Sequence, residues 1–196
     1  AELETDDAVH IIEEMAPEDQ QEILDVLPET MREEVEESLT YPDESAGRLM
    51  RHALVSVPES WTVGDTIDYL RTQEGLPENF YVIYTVDAGY RPVGRILLGT
   101  ILANKREMPL ASIAVKDVYA VATETDQEEV AHMFRKYALV EAPVVNDAGV
   151  LVGTITVDDV VDVIEEETEE DYLRAGGVTA QDFQARLWET ARTRFG

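Results

Sequence analysis

The chain has no cysteine, which excludes disulfide frameworks, thiolate zinc sites and cysteine nucleophiles together. Its histidines are His10, His52 and His132, none in HxxH or HExxH spacing, so an imidazole-rich metal centre is not expected. No apolar run reaches the roughly 18–20 residues that span a bilayer, and no signal peptide opens the sequence. As given, it reads as a soluble intracellular polypeptide. A Gly-rich phosphate loop is missing, as are Ser/His/Asp and Cys/His arrangements, and Ser45 and Ser60 have no neighbouring histidine. The chain is therefore not expected to be an enzyme. Basic charge is scarce: 15 Lys and Arg stand against 42 Asp and Glu, a formal net charge of −27. Such a surface repels nucleic acid and anionic lipid, so no nucleic-acid partner is expected.

What remains is ample. Hydrophobic residues make up 44% of the 196 residues, enough for one or two packed domains. The acidity has two readings. One is a halophile-style solvated surface, which the scarcity of lysine (Lys105, Lys116 and Lys136) fits. The other is a set of carboxylates that converge on cations.

Residues 1–50 hold 17 acids against Arg32 and Arg48. Ala8, Val9, Ile12 and Met15 recur at helical spacing, then Ile23, Leu24 and Leu27, then Met31, Val35 and Leu39. Pro17 and Pro28 punctuate these runs, each followed by Glu where a first helical turn favours a carboxylate. The spacing predicts three short helices.

From about Ala46 the texture becomes a duplicated α/β unit. Expected strands lie at Val55–Val57, Tyr81–Val86 and Val93–Leu98, with a helix over Trp61–Arg71; the order returns at Tyr119–Val121, Asp126–Tyr137, Pro143–Val145, Leu151–Thr156 and Val157–Glu167. Asp87-Ala-Gly89 recurs as Asp147-Ala-Gly149, sixty residues on, and supplies the positive φ of a tight hairpin in this reading. A period this long with β-α-β-β-α order is a domain duplication. The fold class is mixed α/β: a tandem pair of such repeats, an all-α lead-in and a carboxy-terminal helix.

Between Asp158 and Asp171 there are nine acids and no base. On a helix, Asp158, Asp159, Asp162, Glu165, Glu166 and Glu169 make stripes of like charge, each i,i+4 pair destabilising by a few tenths of a kcal/mol. This helix either faces solvent throughout or welcomes a cation or basic partner. Residues Thr179 to Phe195 pattern as an amphipathic helix with Phe183, Leu187 and Trp188 apolar and Arg186, Arg192 and Arg194 basic. That polarity suits a segment approaching a bilayer, or a helix docked on the acidic body.

Val152-Gly-Thr-Ile-Thr156-Val-Asp-Asp159 resembles the Gly-x-x-Thr-x-x-Asp signature of the cystathionine-β-synthase (CBS) domain. Together with Tyr41-Pro-Asp-Glu-Ser-Ala-Gly-Arg-Leu-Met50, Thr125-Asp-Gln-Glu-Glu-Val130 and the Asp-Asp-x-x-Asp helix, it resembles the MgtE magnesium transporters and channels over nearly the whole chain. The resemblance implies the end of an α-helical N domain at 1–45, CBS repeats at 46–109 and 110–172, and a connecting helix at 173–196 that leads to a transmembrane domain absent here. It implies a location at the cytoplasmic face of the membrane and a homodimer through the CBS pair.

By the same resemblance, Mg²⁺ lies between the helical domain and the CBS pair and between that pair and the connecting helix. Carboxylate sites of this kind also accept Mn²⁺ or Ca²⁺. Asp159 and Asp162 are the leading ligand candidates, followed by Asp158, Glu128 and Asp126, with Asp6 and Asp7 from the helical domain and a backbone carbonyl near Gly47. Tyr137-Ala138 departs from the family, which can place an acid after this Tyr. Bridging ions would close the domains and hold the pore shut. A competing implication is ATP or AMP binding, with Thr156 and Asp159 contacting phosphate and ribose; Leu98 and Ile101 are read as the first-repeat equivalents, so that half-site looks lost. A third reading is a structural dimerisation module.

Overall fold

The computed structural model describes residues 5–175 apart from positions 14, 74, 78 and 79; the segment expected to be amphipathic lies outside the described residues. The acidic lead-in folds as α1 (Thr5–Glu13), α2 (Pro17–Val26) and α3 (Glu29–Ser38). Pro17 opens α2 and Pro28 is the residue before α3, positions where a proline ring does not interrupt the helical ladder. Ala8, Val9, Ile12, Leu24 and Val35 form one small core of their own. A single turn, α4 (Ala46–Leu49), follows.

The first repeat runs β1 (Ser56–Pro58), α5 (Val63–Thr72), β2 (Val82–Val86), β3 (Pro92–Leu97) and α6 (Leu98–Ala103). The second runs β4 (Val121–Ala122), α7 (Gln127–Tyr137), β5 (Glu141–Val145), β6 (Leu151–Thr156) and α8 (Val157–Ala175). Each makes a three-stranded sheet with a parallel and then an antiparallel pairing. Even the register shifts match, falling between Thr85 and Val86 and between Val144 and Val145. A continuous α8 extends beyond the Glu167 end expected from the sequence.

The sequence boundaries and the packed cores differ. Ala46 and Met50 sit in the core of the second repeat, whereas Leu110 sits in that of the first. The lead-in of each repeat thus packs on the other. Gly47 N donates to Thr123 O at 2.8 Å, and Arg51 N and O pair with Thr154 O and N at 2.8 and 2.9 Å. At the equivalent place Val115 N and O pair with Arg95 at 2.9 and 3.0 Å. A Cβ on Gly153 would meet Met50 Sδ at 2.7 Å and Arg51 O at 2.9 Å, so only glycine allows this approach.

The sheet register corrects two details of the sequence reading. Val82 pairs with Leu97 as Glu141 pairs with Thr156, so the first-repeat counterparts of Thr156 and Asp159 are Leu97 and Thr100, not Leu98 and Ile101. Likewise Asp87 Oδ1 accepts from Gly89 N and Arg91 N at 2.8 and 2.9 Å, and Asn146 Oδ1, not Asp147, does the same for Ala148 and Val150. The positive φ falls on Tyr90 (60°) in the first hairpin and Gly149 (75°) in the second. The repeated Asp-Ala-Gly letters are offset by one residue from the repeated backbone.

Candidate functional site

The β6–α8 turn builds the first half of the site. Thr156 ends the strand, and its N–H donates to Asp159 Oδ2 at 2.7 Å, as the third helical residue of a capping box does. The Thr156 hydroxyl also lies against Asp159 Oδ2, at 2.7 Å, and against Asp158. Both carboxylates stand in the first turn of α8, where the helix dipole favours them. Asp159 is nearly closed off, its side chain 3% exposed, while that of Asp158 is 69% exposed.

The second half comes from the helical domain. Asp6, in the first turn of α1, has an 11% exposed side chain facing this turn. Between the two halves lies Arg51, fixed to β6 by its backbone. Its Nε is 3.2 Å from Asp6 Oδ2 and donates to Asp159 Oδ1 at 3.1 Å. Its Nη2 bonds the same Asp159 oxygen and Asp158 Oδ2, the latter at 3.2 Å. One guanidinium therefore joins carboxylates from two domains.

Electrostatics here are opposed. Burial, then Asp159 and Asp7, push the Asp6 carboxyl up to about 7, and Arg51 only partly offsets them. Asp6 Oδ1 is buried without a hydrogen-bond partner. Asp158 is held below the usual carboxylate range: burial raises it, but bonds from Thr156 and its own backbone and the charge of Arg51 outweigh that.

The other sequence candidates are dispersed. Asp7 and Asp162 are exposed on α1 and α8. Asp126 caps α7, its Oδ1 accepting from Glu128 N at 2.9 Å, beside Ser45, with which it forms an isolated bridge. Gly47 is buried one turn beyond, with its N–H on Thr123. Among the described residues no three or more His, Asp or Glu are arranged to hold a metal ion. The oxygen-only donor set suits a hard cation such as Mg²⁺ or Ca²⁺, and the orphaned Asp6 Oδ1 leaves an acceptor for one. In this conformation Arg51 supplies the positive charge.

Sequence reasoning missed both interdomain arginines. Arg48 donates to Tyr41 O and Leu39 O at 2.9 and 3.2 Å and pairs with Glu13 and Asp43 at 3.0 and 2.8 Å. The signal that could have found them was a pair of bases three residues apart, directly after a lead-in whose only other base is Arg32. A buried set between the repeats was missed as well: Thr154 Oγ1 donates to Glu141 Oε1 at 3.0 Å, with the Tyr84 hydroxyl 3.5 Å away. Burial raises Glu141, against the lowering effect of Thr154 and Tyr84.

Known proteins resemble this chain in sequence and in fold. Residues 1–44 match the MgtE intracellular N domain and residues 110–166 the CBS domain. The chain is 37% identical over 176 residues to the magnesium transporter MgtE of Thermus thermophilus, covering 90% of the chain and 39% of that protein. It is 34% identical over 161 residues to the Enterococcus faecalis magnesium transporter MgtE, covering 82% and 36%. A solved structure of the cytosolic domain of the Mg²⁺ channel MgtE in complex with ATP superposes with a TM-score of 0.76 at 36% identity, covering 82% of this chain and 66% of that one. The soluble part of a magnesium transporter superposes with a TM-score of 0.77 at 33% identity, covering 84% and 64%. The chain thus spans about two-fifths of the curated relatives it matches.

Proposed function

The chain belongs to the MgtE family, whose cytosolic region it matches, and on that premise we propose that it senses Mg²⁺ for a transport domain. The carrying observation is the meeting of Asp6 with Asp158 and Asp159 across the domain boundary. Separate acidic faces repel, and divalent ions between them turn that repulsion into attraction. Asp7, Asp126, Glu128 and Asp162, with a carbonyl near Gly47, are the further candidate ligands. Closure would hold α8 in place and so restrain a transmembrane domain of the same polypeptide. A full swing from 1:99 to 99:1 needs about 5.5 kcal/mol of differential binding. No catalytic role is assigned.

The test is a thermal and calorimetric titration with MgCl₂ over roughly 0.1–20 mM, against NaCl and KCl at matched ionic strength to remove general screening. A saturable gain specific to Mg²⁺, reduced by Asp158→Asn and Asp162→Asn, is expected. An identical response to all three salts would return the carboxylates to the role of a solvated surface. Mn²⁺ and Ca²⁺ arms define the preference.

A second reading, adenine-nucleotide binding, draws support from the ATP complex of the similar cytosolic domain and from Thr156 and Asp159 at the β6–α8 turn. Both residues are engaged here, so a nucleotide would have to displace Arg51 from Asp159. Unchanged amide spectra with millimolar ATP or AMP would remove it. A homodimer is also proposed, because exposed apolar residues recur at equivalent positions: Tyr81 and Leu102 in one repeat, Val140 and Val161 in the other.

A further inference from the structure

The internal duplication provides a control within one molecule. Arg51 and Val115 occupy equivalent places, each paired through its backbone to the edge of the sheet in the opposite repeat. Across from Arg51 stand Asp158 and Asp159; at the matching start of α6 stand Gly99 and Thr100. The first-repeat half has therefore neither the base nor the acids. At these equivalent positions the base and the acids stand only in the half that faces the helical domain, where α1 brings Asp6.

Two further features mark this as more than a surface ion pair. Asp159 is buried and has each of its oxygens engaged, Oδ1 by Arg51 and Oδ2 by Thr156. Gly153 is the position that lets the Arg51 backbone reach β6, since a side chain there would collide with Arg51 O. The guanidinium is thus delivered by backbone pairing, without relying on a flexible stem alone, and its planar fork spans two carboxylates at once.

We infer that Arg51 is a tethered cation that clasps the helical domain to the second repeat in the absence of metal. It occupies the same carboxylates that a divalent ion would bridge, so it competes with that ion and sets how much closure depends on it. This deepens the Mg²⁺-sensing reading and rests on it for the second clause. The clasp itself, Arg51 against Asp6 and Asp159, stands on geometry alone. Removing the guanidinium leaves Asp6, Asp158 and Asp159 facing each other without compensation, which opens the contact. Supplying Mg²⁺ should then close it again.

The absence of cysteine allows clean labelling. Glu22→Cys on α2 and Arg135→Cys on α7, both exposed, would carry a fluorophore pair reporting the distance between the helical domain and the second repeat. Arg51→Met, Arg51→Gln and Arg51→Lys are compared with the parent in EDTA and across a MgCl₂ titration; two neutral replacements guard against one failing to fold. The open-to-closed ratio in EDTA should rise at least about tenfold in the neutral variants, as for loss of one partner of a largely buried pair, and less in Arg51→Lys. Millimolar MgCl₂ should restore the closed signal in the neutral variants and change the parent much less. If both neutral variants stay as closed as the parent in EDTA, the clasp is overturned, whatever Mg²⁺ does to melting temperature. If they open and MgCl₂ never recloses them, the clasp stands and the Mg²⁺ reading fails.

Discussion

Asp6 concentrates the tension in this molecule. An isolated carboxyl titrates at 3.8, but in the fold it is raised to about 7, first by burial and then by Asp159 and Asp7. The folded state therefore binds the proton more tightly than the unfolded one, and the contribution of Asp6 to stability falls as pH rises from its unfolded value through its folded value. Asp6→Asn should flatten the stability profile between about pH 4 and about pH 7 and gain most at the upper end; urea melts across that range on both proteins check it. A divalent ion at this contact favours the ionised form, so the affinity for Mg²⁺ should increase as pH passes through the same window, with proton release on binding. Calorimetry in buffers of different ionisation enthalpy measures that release. Glycine gives a contrasting pair. Gly153→Ala forces Met50 and Arg51 away from β6 and should destabilise by about 1–3 kcal/mol, weakening the clasp. Gly99→Ala meets nothing within 4 Å inside α6 and should stabilise by about 0.5–1 kcal/mol; thermal melts separate the two.

At the scale of elements, α8 serves two faces with different rules. Val160 and Val163 are buried in the second-repeat core against α7, and this burial anchors the first two turns of the helix. The opposite face carries Asp158 and Asp162 one turn apart, exposed and of like charge. Their repulsion is worth a few tenths of a kcal/mol. Asp162→Asn should therefore raise the melting temperature slightly in EDTA and diminish the gain from Mg²⁺. Opposite signs in the two conditions distinguish a cation-binding face from a solvated one; a gain in both would favour the latter. The short helix α6 lacks this acidic face, since its sequence is Leu-Gly-Thr-Ile-Leu-Ala. Duplication preserved the backbone and let the two helices diverge in chemistry.

For the molecule as a whole, exchanged lead-in segments and shared apolar residues tie the repeats into one unit. Ala46 and Met50 pack into the second repeat, Leu110 into the first, and Val82, Tyr84, Val86 and Leu151 form a cluster from both. Separating the repeats at residue 109 would thus leave each with a cavity where the other's lead-in belongs. The outer surface repeats its apolar positions in pairs, and Leu102 and Val161 are 69% and 45% exposed. Sedimentation should report a dimer for the chain and a monomer for the Leu102→Glu, Val161→Glu double variant, with unchanged far-ultraviolet circular dichroism. A parent that sediments as a monomer would remove the dimer reading.

What the sequence determined by itself was everything encoded in local period and composition. The 3.6-residue spacing around Ile12, Leu24 and Val35, the prolines at 17 and 28, and the repeated β-α-β-β-α order each reflect interactions within a few residues, so they are legible without coordinates. The acidity and the Asp-Asp-x-x-Asp helix were legible for the same reason. The tertiary structure alone decided the exact register of the duplication, because hairpin geometry at Asp87 and Asn146 follows backbone hydrogen bonds and not matching letters. It alone decided that Asp6, 45 residues before Arg51 and more than 150 before Asp159, meets both. That proximity depends on the lead-in crossing to the opposite repeat and on Gly153 admitting it, and no local pattern records a contact closed by a loop of that length.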